Sequence, residues 1–180
     1  MTLHEYLVEA KKPSDINEHL DILMEYGNRC KKIVEFGVRW ADGSTIAFLN
    51  TNKDIIVESY DIVNTVEKRI KDLTACTKKE KKPWTFVLKS SLEADIDTDM
   101  MFIDTFHVYD LLKSELSRHC DHVHKYIAMH DTTLFAYRGE DGSTGKGLMT
   151  ALTEFLNEHP EWKIAYKVEN NNGLTILERE

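Results

Sequence analysis

The chain has 180 residues, 42% hydrophobic and 30% charged, which predicts one globular domain with a full core. Its 23 basic and 31 acidic residues give a net charge of −8, which disfavours binding to nucleic-acid backbones. Three cysteines without a CxxC pair predict reduced thiols. Because we find neither a membrane-length apolar run nor an export signal, we expect a cytoplasmic protein without a nucleic-acid or membrane partner.

Two helical patterns occupy the first 30 residues. Leu3, Tyr6 and Leu7 share one helical face, and Ser14 can cap a second helix after Pro13. We therefore divide a single domain, 1–180, into N-terminal helices at 1–30 and an α/β core at 31–180.

From residue 31 onward, predicted strands alternate with predicted helices. The strands are expected at 31–37, 55–60, 84–88, 100–103, 126–129, 162–168 and 174–177. Helices are expected at 44–51, at 62–74, from 107, and from 148. This alternation implies a parallel sheet with right-handed crossovers, and the turn at 170–173 predicts a closing hairpin with one antiparallel strand.

The segment 33–45 has the pattern of a strand, a cofactor-holding turn and a helix. The strand ends near Glu35, the chain passes through Gly37 and Gly43, and an apolar pattern resumes at 46–49. The turn lacks a full GxGxxG path and carries Asp42, which would repel a pyrophosphate. It therefore favours a cationic sulfonium cofactor over a nicotinamide dinucleotide.

Polar residues end the predicted parallel strands. Since the carboxyl ends of parallel strands share one edge of a sheet, we expect their side chains to converge in one crevice. The residues concerned are Glu35, Asp61, Ser90, Ser91, Asp104, His130 and Asp131.

Three segments carry a resemblance to a known family. They are 35–45, the "F-I-D-x-x-H-x-Y" sequence at 102–109, and the "H-D-T" sequence at 130–132. Over 31–180 the chain resembles the class I S-adenosylmethionine-dependent methyltransferases. Within them it is most similar to a small bacterial and phage group related to cephalosporin-hydroxylase-like and metal-assisted O-methyltransferases. Where the family's first motif usually has a glycine, this chain has Arg39 and Ala41.

The resemblance implies an α/β fold: a Rossmann-like, doubly wound, mostly parallel seven-stranded sheet with an antiparallel C-terminal strand. It also implies S-adenosylmethionine as the cofactor. The carboxylate of Glu35 would face the ammonium of the cofactor, or alternatively cap the following helix. Asp61 would accept from the ribose hydroxyls, cap the helix predicted from 62, or do both. The implied cofactor-binding residues are Glu35, Gly37, Gly43, Ser44, Asp61, Ser90 and Asp104.

The ends of the fourth and fifth strands are the candidate catalytic region. Asp104 and Asp131 can hold Mg²⁺, which in the metal-assisted relatives orients an acceptor hydroxyl and lowers its pKa. Asp104, His107 and His130 are the candidate catalytic residues, with a histidine as general base. In the alternative reading, Asp104 caps the helix from 107 and Asp131 organises the next loop. That loop, 132–147, offers candidate substrate contacts at Phe135, Tyr137, Arg138 and Glu140.

These observations predict an enzyme that transfers a methyl group from S-adenosylmethionine to an oxygen of a small molecule or sugar. Two alternatives stay open at this level. One is a nicotinamide-dependent oxidoreductase, and the other is a non-catalytic binding or assembly protein that retains the fold. A homo-oligomer is also left open.

Overall fold

The computed structural model describes residues 1–64 and 66–180. The strands are β1 (Lys32–Phe36), β2 (Ile56–Asp61), β3 (Trp84–Leu88), β4 (Thr98–Ile103), β5 (Val123–His130), β6 (Trp162–Val168) and β7 (Leu174–Arg179). The helices are α1 (Leu3–Ala10), α2 (Leu20–Gly27), α3 (Ser44–Leu49), α4 (Glu67–Glu80), α5 (Tyr109–His119) and α6 (Leu148–Glu158).

The seven strands form one sheet in the order β3-β2-β1-β4-β5-β7-β6. The pairs among β1 to β5 are parallel, and β7 runs antiparallel to both β5 and β6. Helices cover both faces of the sheet. This architecture confirms the predicted Rossmann-like, doubly wound fold with an antiparallel last strand.

Alternating side chains along the strands build two hydrophobic cores, one on each face. In β1, Ile33 belongs to the core that includes side chains of α1 to α4, whereas Val34 belongs to the core that includes side chains of α5 and α6. β4 repeats the pattern, with Phe102 on the first side and Met101 on the second. In β1 and β4 both faces are largely apolar, and the polar residues Asp61, Asp104 and Asp131 stand at or directly after the carboxyl ends of their strands.

Two helices begin later than the sequence predicts. α4 begins at Glu67 with Val66 as its N-cap, so Asp61 does not cap it. α5 begins at Tyr109 with Val108 as its N-cap, so the alternative reading of Asp104 as a helix cap is wrong. Both carboxylates are bonded elsewhere along the sheet edge.

The three cysteines are free, as the sequence predicts, and the structure places all three in buried positions. Among the residues that the structure describes, no helix has the length and apolarity needed to cross a membrane.

Candidate functional site

A cleft of about 730 Å³ runs along the carboxyl edge of β1 to β5. Each of these strands contributes residues to it, and the sequence had marked one residue or more from each strand end. The predicted strand-end and cluster residues that line the cleft are Gly37, Asp61, Ser90, Ser91, Asp104, His107 and Asp131. Of the strand-end residues expected in one crevice, Asp61, Ser90, Ser91, Asp104 and Asp131 therefore lie there, whereas Glu35 and His130 do not.

Gly37 brings the backbone after β1 against the backbone after β4. Its φ is +87°, and a Cβ atom there would lie 2.1 Å from the carbonyl oxygen of Asp104. Its N–H donates to the carbonyl of Tyr60 at 2.9 Å. Only glycine combines this left-handed backbone with such a close approach.

The two following positions that lack the expected glycine keep a glycine-like backbone. Arg39 and Ala41 have φ values of +51° and +52°. The carboxylate of Asp61 supports this conformation, because its Oδ2 accepts hydrogen bonds at 2.9 Å from the backbone N–H groups of both Val38 and Arg39. Its Oδ1 accepts from the N–H of Val63 at 3.0 Å. Asp61 therefore braces the loop as well as lining the cleft.

Glu35 lies behind the loop and not in the cleft. It is fully buried and accepts hydrogen bonds from the hydroxyls of Ser44 at 2.6 Å, Thr45 at 2.9 Å and Ser59 at 2.6 Å. Burial raises its pKa to about 7, although the three hydroxyl hydrogen bonds act in the opposite direction. The carboxylate thus faces the core side of β1, and this contradicts its predicted contact with a cofactor.

Gly43 and Ser44 also lie outside the cleft. Gly43 is the N-cap of α3 and lines a neighbouring groove, and the Ser44 hydroxyl is bonded to Glu35. The prediction that these two residues contact a cofactor is not met, because the turn from Gly37 carries the chain behind the sheet edge before α3 begins.

His107 occupies the centre of a charged cluster. Its Nε2 lies 3.1 Å from Oδ1 of Asp104 and 3.0 Å from Oδ2 of Asp131, and its Nδ1 lies 2.8 Å from Oε2 of Glu140. The ring of Phe135 stacks on the imidazole, with centroids 5.0 Å apart. Burial lowers the pKa of His107, but the hydrogen bond and charge of Asp104, and then the charge of Asp131, outweigh it and raise the pKa to about 9. With both ring nitrogens engaged, the geometry argues against the predicted general-base role.

His130 supports the same cluster from behind and does not line the cleft. Its Nδ1 lies 3.5 Å from Oδ1 of Asp104 and 3.7 Å from Oδ1 of Asp131, and its Nε2 lies 3.1 Å from the carbonyl oxygen of Asn171. Burial raises the pKa of Asp104, but the hydrogen bonds of His107 and His130 outweigh it, so the pKa lies below its ordinary value.

The cluster has the donor set of a cation site. Asp104, His107 and Asp131 each offer a ligand atom, and these atoms lie within 4.8 Å of one another. Oδ1 of Asp131 is buried and has no hydrogen-bond partner among the described residues, and the backbone at Asp131 is left-handed, with φ +59°. A buried carboxylate oxygen without a partner is costly, and a cation would satisfy it.

The sequence did not point to two parts of the cleft wall, namely Asp15 and Asn172. Asn172 belongs to the β6–β7 turn. Its carbonyl oxygen accepts hydrogen bonds from the N–H groups of Thr133 and Leu134 at 2.9 and 3.0 Å. The sequence predicts a turn there, but the pairing of β7 with β5 is what brings this turn to the carboxyl edge of the sheet. Of the predicted loop contacts, Phe135 and Glu140 line the cleft, and Tyr137 and Arg138 do not.

Apolar side chains that solvent reaches also line the cleft. This surface suits a ring system, because exposed apolar residues that cluster in a concave site commonly mark a ligand surface. They are Trp40, Ile62, Val63, Phe106 and Leu134.

No protein-family model matches this chain, and no curated protein matches it. Solved structures do match. A provisionally assigned caffeoyl-CoA O-methyltransferase from Staphylococcus aureus is 18% identical with a TM-score of 0.72, over 99% of this chain and 90% of its own. A methyltransferase from Podospora anserina with bound S-adenosylhomocysteine is 14% identical with a TM-score of 0.64, over 99% and 87%. Magnesium protoporphyrin IX methyltransferase from Synechocystis with bound S-adenosylmethionine is 8% identical with a TM-score of 0.68, over 98% and 91%.

This chain has the fold of the class I S-adenosylmethionine-dependent methyltransferases. At such identities the likeness is one of fold, so the reaction has to be argued from the site.

Proposed function

We propose that the protein is an S-adenosylmethionine-dependent methyltransferase that methylates an oxygen of a small molecule or sugar. One observation carries the proposal. A single cleft joins a loop braced by Asp61 to the charged cluster around His107. Two of the solved structures with this fold hold S-adenosylmethionine or its product.

The cleft fits this cofactor in size and chemistry. Its volume of about 730 Å³ falls within the range of ligand pockets. Oδ1 of Asp61 accepts one hydrogen bond and retains a lone pair for a ribose hydroxyl. Ile62 and Phe106 present exposed apolar surface to an adenine ring. The acidic rim is compatible with a sulfonium charge.

The charged cluster around His107 binds the acceptor hydroxyl and takes up its proton. When bound, S-adenosylmethionine supplies a methyl group whose bond to sulfur breaks as the bond to the acceptor oxygen forms, and the electron pair of the broken bond stays on sulfur. Oδ1 of Asp131, which has no hydrogen-bond partner among the described residues, accepts the proton of the acceptor hydroxyl. Leu134 and Phe135 shield the reacting atoms from water, and the fixed carboxylates hold the hydroxyl in line.

The same cluster fits a divalent cation such as Mg²⁺. Asp104 and Asp131 would hold the ion through carboxylate oxygens, and Nε2 of His107 would complete the donor set after releasing its proton. Glu140 accepts from Nδ1 of His107 and fixes the orientation of the ring. The ion, when bound, lowers the pKa of the acceptor hydroxyl.

Calorimetric titration tests the cofactor. We expect S-adenosylmethionine and S-adenosylhomocysteine to bind the wild type and NADH not to bind. Asp61→Ala should weaken binding at least tenfold. Asp42→Ala is the matched control, because Asp42 is an exposed acid of the same loop that lines the neighbouring groove. Binding of NADH alone, or equal effects of the two variants, would contradict the proposal.

Metal binding is tested separately, without a cofactor. MgCl₂ or MnCl₂ is titrated into chelator-treated wild type, Asp131→Asn and the control Asp97→Asn, an exposed acid that pairs with His124. We expect saturable binding that only Asp131→Asn abolishes. Identical isotherms for the three proteins would remove the cation from the proposal and leave methyl transfer standing.

A further inference from the structure

Arg39 and Asp15 form an ion pair at the mouth of the cleft. Nη1 of Arg39 lies 2.9 Å from Oδ2 of Asp15, and both residues line the cleft and also the adjoining groove of about 820 Å³. Both side chains are accessible, with 69% of Arg39 and 44% of Asp15 exposed. The pair therefore presents one cation and one anion, side by side, to any ligand that extends past the loop after β1.

The backbone at Arg39 suits glycine better than arginine. Its φ of +51° is strained for a residue with a side chain, and Asp61 holds its N–H in that conformation. Because a glycine would adopt this backbone without strain, the distinctive contribution of Arg39 is its guanidinium. Two other basic residues line the described cleft, namely Lys89 after β3 and His107 in the cluster with Asp104 and Asp131. Arg39 is therefore the basic residue that the loop after β1 contributes to the cleft.

The ligand geometry follows from the proposed function, on which this inference rests. The sulfonium sulfur carries three groups: the adenosyl group, the methyl group and an aminocarboxypropyl chain. If the adenosyl group lay over the end of β2 at Asp61 and the methyl group were directed at the cluster after β4 and β5, the third chain would lie against the loop after β1, which lines the same cleft. That chain ends in an ammonium and a carboxylate.

We propose that Arg39 and Asp15 together recognise this zwitterionic end of the cofactor. The guanidinium of Arg39 binds the carboxylate in a two-pronged hydrogen bond, and the carboxylate of Asp15 accepts from the ammonium. Their mutual ion pair keeps both groups oriented at the mouth. Arg39 is thus a specificity residue that separates the amino-acid cofactor from simple nucleosides.

The test compares two ligands that differ only at that end. S-Adenosylhomocysteine carries the amino-acid chain, and 5′-methylthioadenosine ends in a methyl group instead. Both are titrated into wild type, Arg39→Ala, Arg39→Gly, Arg39→Lys and Asp15→Asn, with Arg138→Ala as the control, because Arg138 is exposed and outside the cleft. Urea unfolding of each variant verifies that it is folded.

We expect both Arg39→Ala and Arg39→Gly to weaken the binding of S-adenosylhomocysteine at least tenfold and the binding of methylthioadenosine less than twofold. The affinity of Arg39→Lys for S-adenosylhomocysteine should lie between that of the wild type and those of Arg39→Ala and Arg39→Gly. Asp15→Asn should weaken the binding of S-adenosylhomocysteine and leave the binding of methylthioadenosine unchanged. Normal affinity in Arg39→Gly, or equal losses for both ligands, would overturn the inference and leave the proposed function intact. Failure of the wild type to bind either ligand would overturn both.

Discussion

Oδ2 of Asp61 lies 2.9 Å from the backbone nitrogen of Arg39, a residue whose φ is +51°. The same oxygen accepts from Val38, so one carboxylate satisfies two N–H groups of a loop that no strand pairs with. This bond joins the ends of β1 and β2 and holds a strained backbone at the cleft. The conformation of this loop and the proposed ligand contact therefore involve the same side chain.

Replacing Asp61 should cost stability as well as affinity. Asp61→Ala removes the acceptor of three backbone N–H groups, and we expect a loss of about 1–3 kcal/mol in the free energy of unfolding. Asp61→Asn keeps one carbonyl oxygen, so its free energy of unfolding should lie between those of the wild type and Asp61→Ala. Urea unfolding monitored by circular dichroism measures both, and an unchanged unfolding midpoint in Asp61→Ala would show that the loop does not depend on this brace.

Gly37→Ala should be far more damaging than Gly142→Ala. Both glycines have a similar φ, +87° and +85°, but a Cβ at Gly37 meets the carbonyl of Asp104 at 2.1 Å, whereas a Cβ at Gly142 has nothing within 4 Å. The backbone penalty alone is about 1 kcal/mol, and we expect Gly37→Ala to lose roughly 3 kcal/mol or more because β1 and β4 must separate. Thermal unfolding compares the pair, and equal melting temperatures would contradict the close approach.

The stability of the wild type should fall as the pH rises from about 4.5 to about 7. Burial raises the pKa of Glu35 from 4.5 to about 7, so in this window the folded state holds a proton that the unfolded state has released. The stabilisation that comes from the proton on Glu35 is fully present below pH 4.5 and is lost as the pH rises through 7. Its size is about 3 kcal/mol at most.

Glu35→Gln isolates that contribution. Its amide does not titrate, and the hydroxyls of Ser44 and Ser59 can rotate to match it. We expect the free energy of unfolding of the variant to change less between pH 5 and pH 7.5 than that of the wild type. Parallel pH dependences in urea titrations would assign the effect to other groups.

Asn171 should hold the N-terminal segment to the β6–β7 turn. Its Oδ1 accepts from the N–H of Glu18 and its Nδ2 donates to the carbonyl of Ser14, both at 2.9 Å. Asn171→Ala should lower the free energy of unfolding by about 1–2 kcal/mol and speed hydrogen exchange at 14–19. The exposed Asn157→Ala in α6 serves as the control. Unchanged exchange at 14–19 would show that other contacts fix this segment.

The order of elements and the edge of the sheet that carries the site could be predicted from the sequence. Strand periodicity and the alternation with helices are local properties, and they imply a parallel sheet whose carboxyl ends meet. Polar residues directly after those strands, such as Asp61, Asp104 and Asp131, must then lie together. The start of α4 could not be predicted, because Asp61 bonds to the loop of another strand and not to the helix that follows it.

Only the tertiary structure decided which way each side chain at the edge faces and what arrives from distant parts of the chain. Glu35 points to the core because strand alternation and three hydroxyls from other elements take its carboxylate. His107 lies between Asp104 and Asp131 because the segment after β4 meets the end of β5 there. Asp15 and Asn172 reach the cleft through packing and strand pairing, which are long-range contacts that no local pattern of residues encodes.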